Sequence, residues 1–346
     1  MTTGPLDDVR VLDLTRLLPG AYATLLLVDL GADVVKIEDP RGGDGMRTLG
    51  PLASGRHGFF ERLNRGKRSV ALDLRAPEAA AVLDALVARA DVVVDSFRPS
   101  TARRLGVDAE TLRERHPRLV CASISGFGHS GPYSERAAHD INYQALAGLL
   151  TPPALPGPLV GDIGAAMQAA IGILAALIER SRTGEGRFVD VPIHEAAIAW
   201  SMFPTTDDLM HACYTIYETS DGAWLALGAL EPKFWRGFCE RIGRPDLVAL
   251  QRATGDDRAR VLDEVRAIMR RRSRADWLET FADADVCLTP VSTREEAAVD
   301  PHVVARGGPS HDARRAPALG ADTDAVLGEA GIGEDARSRL RAAGII

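Results

Sequence analysis

The chain contains 346 residues, of which 46% are hydrophobic, and its formal net charge at pH 7 is -7. This apolar content is sufficient for a soluble protein of about two domains and excludes a chain that is disordered throughout. The negative charge argues against a nucleic-acid partner, because the nucleic-acid backbone requires concentrated positive surface. Any basic binding site must therefore be local.

The four cysteines are widely spaced, at positions 121, 213, 239 and 287. They form no CxxC pair, so we expect neither a metal site nor a disulfide framework. The first residues lack a basic segment followed by an apolar block, and the apolar stretch at 169–178 is too short to span a bilayer. We therefore expect a cytoplasmic protein with no membrane partner.

Strands and helices alternate through the first 130 residues. The pattern predicts strands at 9–15, 33–38, 69–74, 91–97 and 119–128, with helices at 19–30 and 77–90 between them. Such alternation is typical of an α/β fold with a doubly wound, Rossmann-like parallel sheet. Ligands of these folds bind at the carboxyl ends of the strands.

The second half begins with a long apolar helix at 162–180, which we expect to be largely buried. Near residue 205 the pattern changes to a hairpin at 214–230 followed by helices, which indicates a smaller α+β domain. We predict a large domain at 1–200 completed by 318–346, a small domain at 214–300, and linkers at 201–213 and 301–317.

The predicted strand ends are rich in basic residues. They are Lys36, Arg41, Arg47, Lys67, Arg68, Arg75, Arg98, Arg103 and Arg104. Guanidinium groups at this edge would bind a polyphosphate such as a nucleotide or coenzyme A. An ordinary solvated rim of arginines explains the same pattern equally well.

The segment "GFGHSG" at 126–131 matches the dinucleotide fingerprint G-x-G-x-x-G. Pro132 and a charged stretch follow it, where that fingerprint requires an apolar helix. Chance occurrence in a glycine-rich loop is the favoured interpretation, and a nicotinamide-dependent dehydrogenase is kept as a rival hypothesis.

Three side chains are candidates for catalysis. His139 precedes Asp140 in "AAHDINY", where Asp140 could instead cap a helix through Leu150. Asp162 lies in the first turn of the long helix, where backbone N–H groups stabilise negative charge. Glu231 follows the hairpin in "GALEP" and could equally be an exposed turn residue.

Several motifs, taken in order, resemble those of family III CoA-transferases, the CaiB/BaiF family, which includes 2-methylacyl-CoA racemase. They include "NRGKRSVALDL", "SFRPSTARRLG", "SGFGHSGP", "HDINYQALAG", "GDIGAAMQAAIGILAALIERSRTGEG" and "GALEPKFW", and the likeness covers nearly the whole chain. The site motifs are most similar to those of the racemase.

The resemblance implies an acyl-CoA racemase or epimerase in which His139 and Asp162 act as two bases. Glu231 then corresponds to the racemase residue that reaches the site from the small domain. The backbone N–H of Asp162 would stabilise the enolate. In the alternative activity, CoA transfer between carboxylic acids, Asp162 forms a covalent intermediate.

The resemblance also implies where CoA binds and how the chains assemble. The CoA-lining positions are Arg75, Ser96, Phe97, Arg98, Arg104, Ala138, Asp140, Asn142 and Tyr143. No cofactor is expected beyond the CoA carried by the substrate, and the family forms interlocked homodimers. Asp39 replaces an arginine of the racemases, and the segments around it look more like those of transferases.

Overall fold

A computed structural model describes residues 4–50, 52–53, 56–202, 210–307 and 314–346. The backbone forms two compact units, one comprising 1–202 with 313–346 and the other 203–312. Much of the linkers expected at 201–213 and 301–317 lies outside the described residues, at 203–209 and 308–313.

The first unit is built around a six-stranded parallel sheet in the order β5-β2-β1-β6-β7-β8. Its strands are β1 (Arg10–Asp13), β2 (Asp33–Glu38), β5 (Arg68–Ala71), β6 (Val92–Asp95), β7 (Val120–Ser125) and β8 (Phe188–Pro192). A separate pair, β3 (Leu52–Ala53) and β4 (Arg56–His57), is antiparallel. The six strands have the order of the dinucleotide-binding fold, so the doubly wound prediction is confirmed.

Helices connect these strands. They are α1 (Leu17–Asp29), α2 (Gly58–Leu63), α3 (Ala79–Val87), α4 (Pro99–Leu105), α5 (Ala109–Arg115), α6 (Asp140–Leu146), α7 (Val160–Thr183) and α8 (Ile193–Ser201), with α14 (Thr323–Glu329) and α15 (Glu334–Ala342) near the end of the chain.

Each face of the sheet has its own hydrophobic core. Alternate residues such as Val11 and Val34 face α1 and α7, while their neighbours Leu12 and Val35 face the opposite core. This alternation follows from the two-residue period of a strand. Because both faces of the sheet are buried, the sequences of the strands are continuous apolar runs.

Small residues let α7 approach α1 and α8 closely on its buried side. On its other side Met167, Ile171 and Ile178 are exposed to solvent, and the exposed fractions of Ile171 and Ile178 are 66% and 61%. The expectation that α7 is largely buried is therefore wrong for that side. By length and composition alone α7 could cross a membrane, a criterion that core helices of soluble proteins also meet.

The second unit contains the expected hairpin of β9 (Tyr214–Glu218) and β10 (Trp224–Gly228). Its helices are α9 (Pro232–Arg241), α10 (Gly255–Met269), α11 (Arg274–Thr280), α12 (Arg294–Ala298) and α13 (Pro301–Ala305). A third strand, β11 (Leu288–Pro290), pairs with β10 and was not predicted. The stacked rings of Trp235 and Phe238 form the centre of this core.

Candidate active site

A crevice of about 260 Å³ opens at the carboxyl ends of β1, β2, β5 and β6. The strand order reverses between β1 and β6, and ligands of doubly wound folds bind at this point. Its lining residues lie at the ends of those four strands and in the segments that follow them, and include Thr15, Arg16, Glu38, Asp39, Asp73, Arg75, Phe97 and Arg104.

A buried ionic network lies beneath the crevice. The ammonium group of Lys36 lies 3.0 Å from Asp44 Oδ2 and 3.9 Å from Asp13 Oδ1, and it donates to the Thr15 carbonyl. Lys67 Nζ lies 3.0 Å from Asp13 Oδ2. Both lysines are therefore structural, and the expectation that they contribute to a ligand-binding basic edge is wrong.

Electrostatic compensation keeps Asp13 ionised. Burial would raise the pKa of this carboxyl, but Lys36 and Lys67, helped by two threonine hydroxyls, hold the pKa well below its ordinary value. The network thereby fixes the backbone of Thr15 and the loop around Asp44, both of which line the crevice.

Carboxylates also bind several of the predicted basic residues at the rim. Arg75 lies 2.5 Å from Asp39 and 2.9 Å from Asp73, and Arg41 contacts the same two carboxylates. Arg68 forms salt bridges with Asp33 at the amino end of β2, which is the opposite edge of the sheet. Its assignment to the ligand edge is wrong.

The guanidinium groups of Arg16, Arg98, Arg103 and Arg104 form no ion pair with any residue that the structure describes. Those of Arg98, Arg103 and Arg104 are exposed, and that of Arg16 lies 5.6 Å from the ring centre of Phe97. The Ser96 hydroxyl accepts the Arg16 N–H at 2.9 Å, which holds β1 and β6 together at the crevice. These arginines are the cations available to an anionic ligand.

A second cluster forms where α6 and α7 begin. One carboxylate oxygen of Asp140 accepts the backbone N–H of Asp162 at 2.9 Å, and the other accepts from Gln144 at 2.5 Å. Asp140 is buried inside the first turn of α6, which ends at Leu146. The N-cap is His139, so the alternative in which Asp140 caps a helix through Leu150 is wrong.

His139 is exposed at the start of α6, and its backbone N–H donates to Asn142 Oδ1 at 3.0 Å. The bond between Asp140 and Asp162 brings the start of α7 beside this residue. The structure therefore places His139 and Asp162 at adjacent helix starts.

The carboxyl group of Asp162 has an altered acidity. Burial, followed by the charge of Asp140, raises its pKa to about 7. Its own backbone N–H is occupied by Asp140, so the expectation that this N–H binds an enolate is wrong. No acceptor in the described parts of the chain takes the N–H groups of Val160 and Gly161, which are donors at the same helix start.

Tyr143 links this cluster to the crevice side of the sheet. Its hydroxyl donates to the Ala138 carbonyl at 3.1 Å. Burial and the charges of Asp162 and Asp140 raise the pKa of Tyr143 to about 12, while Arg98 opposes the shift. Arg98 and Asp162 therefore act on the same hydroxyl.

The glycine loop has a packing role. A Cβ atom at Gly126 would lie 2.5 Å from the Tyr143 hydroxyl, so this position excludes a side chain. After Gly131 the chain forms turns, and α6 begins only at Asp140. The loop therefore lacks the geometry of a dinucleotide fingerprint.

Glu231 belongs to the second unit, where it is the exposed N-cap of α9. Its carboxylate interacts electrostatically with the thiol of Cys287, whose backbone has a left-handed φ of 56°. The side chains that could hold a metal ion form no cluster of three within the described ranges.

Sequence reasoning missed Gln144, Arg16 and the partners of Lys36. One signal was available for Lys36, since a lysine inside the apolar strand "DVVKIE" must find a carboxylate when both faces of the sheet are covered. Gln144 carried no such signal, because its partners come from separate segments.

Comparison with known proteins supplies related sequences and structures. The model of CoA-transferase family III matches residues 6–316. The chain is 33% identical to the alpha-methylacyl-CoA racemase of Homo sapiens, over 87% of this chain and 81% of the relative. It is 37% identical to the succinyl-CoA:mesaconate CoA-transferase of Haloarcula hispanica, over 87% of this chain and 83% of the relative.

A solved structure agrees with these relatives. The crystal structure of a CAIB/BAIF family protein from Brucella suis matches with a TM-score of 0.82 at 30% identity, covering 95% of this chain and 100% of that chain. Racemase and transferase relatives are thus similar to this chain at comparable sequence identity.

Substitution of Asp162 tests the raised pKa. Because folding disfavours the ionised carboxylate, Asp162 lowers the free energy of unfolding as pH rises from about 4 to about 7. Asp162→Asn removes this pH dependence. The free energy of unfolding of the variant, relative to that of the wild type, should therefore rise by ~2 kcal/mol between pH 5 and pH 8. Urea unfolding at both pH values measures this difference.

The exposed Asp335 provides the control, because Asp335→Asn should show the same stability difference from the wild type at both pH values. If the difference in free energy of unfolding between Asp162→Asn and the wild type were also the same at both pH values, the raised pKa would be contradicted.

Proposed function

The chain belongs to CoA-transferase family III, and from that membership we propose that it inverts the α carbon of a 2-substituted acyl-CoA thioester. The observation that carries this proposal is the hydrogen bond between Asp140 and the Asp162 N–H. It joins the two helix starts that carry His139 and Asp162, the groups proposed to exchange the proton.

Inversion requires one group that removes the α proton and another that delivers a proton to the opposite face. For one enantiomer His139 removes the proton and Asp162 donates one, and for the other enantiomer the roles are reversed. A carboxyl with a pKa of about 7 suits both roles, because neither protonation state is rare near neutral pH.

The intermediate between the two proton transfers is an enolate, whose oxygen requires hydrogen-bond donors. We assign this role to the N–H groups of Val160 and Gly161, which lie at the positive end of the α7 dipole. A Cβ at Gly161 would lie 3.0 Å from Asp140 Oδ1, so a glycine keeps this helix start open.

The crevice is proposed to bind the nucleotide end of CoA. Phe97, Arg104 and Arg75 line it, while Ser96 and Arg98 lie directly beside that lining. Ala138, Asn142 and Tyr143 are proposed to line the path toward the thioester. The reaction needs no resident cofactor, because CoA enters with the substrate, and we propose that it takes place in the cytosol.

A homodimer is proposed as the functional assembly, in which Glu231 of one chain serves the reaction site of its partner. The exposed apolar stripe of α7 supports association, since surface of this kind marks interaction sites. Nucleic acid and membranes are not expected as partners.

Charge introduced into that stripe tests the dimer. Ile171→Glu buries a carboxylate in the proposed interface and should shift the protein from twice the monomer mass to the monomer mass in analytical ultracentrifugation. The matched control Ser338→Glu adds the same charge at an exposed position of α15, away from α7, and should leave the sedimenting mass unchanged. A wild-type protein that sediments as a monomer at micromolar concentration would contradict the proposal.

Arg104 tests the crevice. Its guanidinium has no carboxylate partner among the described residues, so Arg104→Ala should weaken CoA binding about tenfold, which corresponds to one charge-assisted hydrogen bond. Isothermal titration with CoA measures the effect, with the exposed Arg339→Ala as the control. Unchanged affinity for Arg104→Ala would place the phosphates elsewhere.

Exchange of the α proton tests the reaction. The wild type should incorporate deuterium from deuterated water into 2-methylacyl-CoA without any acceptor acid, and His139→Ala should lower the exchange rate by at least ~100-fold for the enantiomer whose proton His139 removes. Mass spectrometry of the thioester recovered from each single enantiomer measures incorporation. Full exchange of both enantiomers in His139→Ala would contradict its role.

A second function, CoA transfer between carboxylic acids, is favoured by the 37% identity to a succinyl-CoA:mesaconate CoA-transferase. Here the Asp162 carboxylate attacks the thioester carbonyl, CoA leaves as the thiolate, and an acyl anhydride remains on Asp162. Absence of α exchange, together with hydroxylamine trapping of Asp162 in the presence of acyl-CoA, would select this function.

A further inference from the structure

The carboxamide of Gln144 lies one helical turn after Asp140 and is 3% exposed. Its Nε2 atom donates to Asp140 Oδ2 at 2.5 Å and to the Pro158 carbonyl at 3.1 Å. Both partners are acceptors only, so the amide nitrogen must face them. Gln144 therefore bridges α6 and the residues that lead into α7.

Asp140 accepts a second N–H donor through its other oxygen, from the backbone of Asp162. Donors of this kind stabilise the ionised form of a carboxylate, and burial makes each of them more important. Asp140 is 4% exposed, so solvent cannot replace a lost donor easily.

We propose that Gln144 is a positioning residue that holds Asp140 as an anion beside Asp162 and thereby controls the protonation of Asp162. The inference rests on the proton-transfer role proposed for Asp162. Gln144 itself need not touch the substrate, because it acts through Asp140 and through the start of α7.

Electrostatics supports this arrangement. After burial, the charge of Asp140 is the cause that raises the pKa of Asp162. The other titratable groups at α6 are the Tyr143 hydroxyl and the exposed imidazole of the N-cap residue His139, and Asn142 is a neutral amide. Neither replaces Asp140 as a source of negative charge at neutral pH.

The α8 side of this cluster is largely apolar. From α8, the methyl groups of Ile193 and Ala197 pack near Gly161, and the imidazole of His194 contacts Phe127, which in turn contacts Tyr143. Arg98 is the cation that acts on Tyr143, and it forms no salt bridge with Asp140 or Asp162 in the described structure. Two neighbouring carboxyl groups in such surroundings share one proton. The carboxyl that accepts more hydrogen bonds stays ionised, and the other is the one that is protonated.

The test is a carbon-13 NMR titration of the full-length protein labelled at the aspartate carboxyls, with Asp162→Asn used to assign the Asp162 signal. In Gln144→Leu, Asp140 loses a donor and competes for the proton. The Asp162 midpoint should therefore fall by roughly one pH unit from its wild-type value. An unchanged midpoint in folded Gln144→Leu would overturn the proposal.

A second variant keeps the test decisive if Gln144→Leu does not fold. Gln144→Glu preserves shape but places another carboxyl group against Asp140, so the Asp162 midpoint should stay at or above the wild-type value. A fall in Gln144→Glu equal to that in Gln144→Leu would overturn the proposal, because loss of packing alone would then explain both. Gln168→Leu is the matched control on the exposed side of α7.

Activity provides a separate readout. Gln144→Leu should lower kcat for α exchange about tenfold while changing KM less than twofold, since the CoA crevice is untouched. Its pH–rate midpoint should move with the NMR midpoint. If Asp162→Asn retained full exchange activity, the proposed function would fail while the NMR result for Gln144 would still stand.

Discussion

A single hydrogen bond, from the backbone N–H of Asp162 to the carboxylate of Asp140, joins the starts of α6 and α7. Everything proposed about chemistry depends on it, because His139 and Asp162 lie at the starts of different helices, and the bonded residues Asp140 and Asp162 are 22 residues apart in sequence. The same bond brings a second carboxylate against Asp162, which together with burial accounts for its raised pKa. This bond therefore fixes the position of Asp162 and, after burial, contributes to its raised pKa.

Buried aspartates at the carboxyl edge of the sheet behave in opposite ways according to their neighbours. Asp13 lies between Lys36 and Lys67, so its pKa is lowered despite complete burial. Asp162 has a carboxylate neighbour, and its pKa is raised. A carboxyl that keeps its charge serves as a fixed support for the crevice, whereas one poised near neutrality can exchange a proton.

The fold was largely predictable because it follows from local patterns. β2 and the hairpin strands occur where their periodicity placed them, and each pair of consecutive parallel strands of the large sheet is joined through at least one helix. The motifs were sufficient to identify the family. The strand β11 escaped detection, since three residues carry too little periodicity, and the exposed side of α7 cannot be distinguished from a core helix by composition.

The site was predictable in its residues and less so in their interactions. His139, Asp140 and Asp162 were identified as candidates, but the sequence could not show that Asp140 would occupy the Asp162 N–H. It also could not show that Asp39 and Asp73 bind Arg75, because such contacts join segments that are distant in sequence. Lys36 and Lys67 were wrongly predicted to contribute to a ligand-binding edge, because their carboxylate partners also come from distant segments.

A crystal structure of the protein with a bound 2-methylacyl-CoA tests the account most directly. In this complex the α carbon should lie between the His139 imidazole and the Asp162 carboxylate, with both groups about 3.5 Å away and on opposite faces. A complex in which these two groups point into separate cavities, or approach the thioester from the same side, would contradict it.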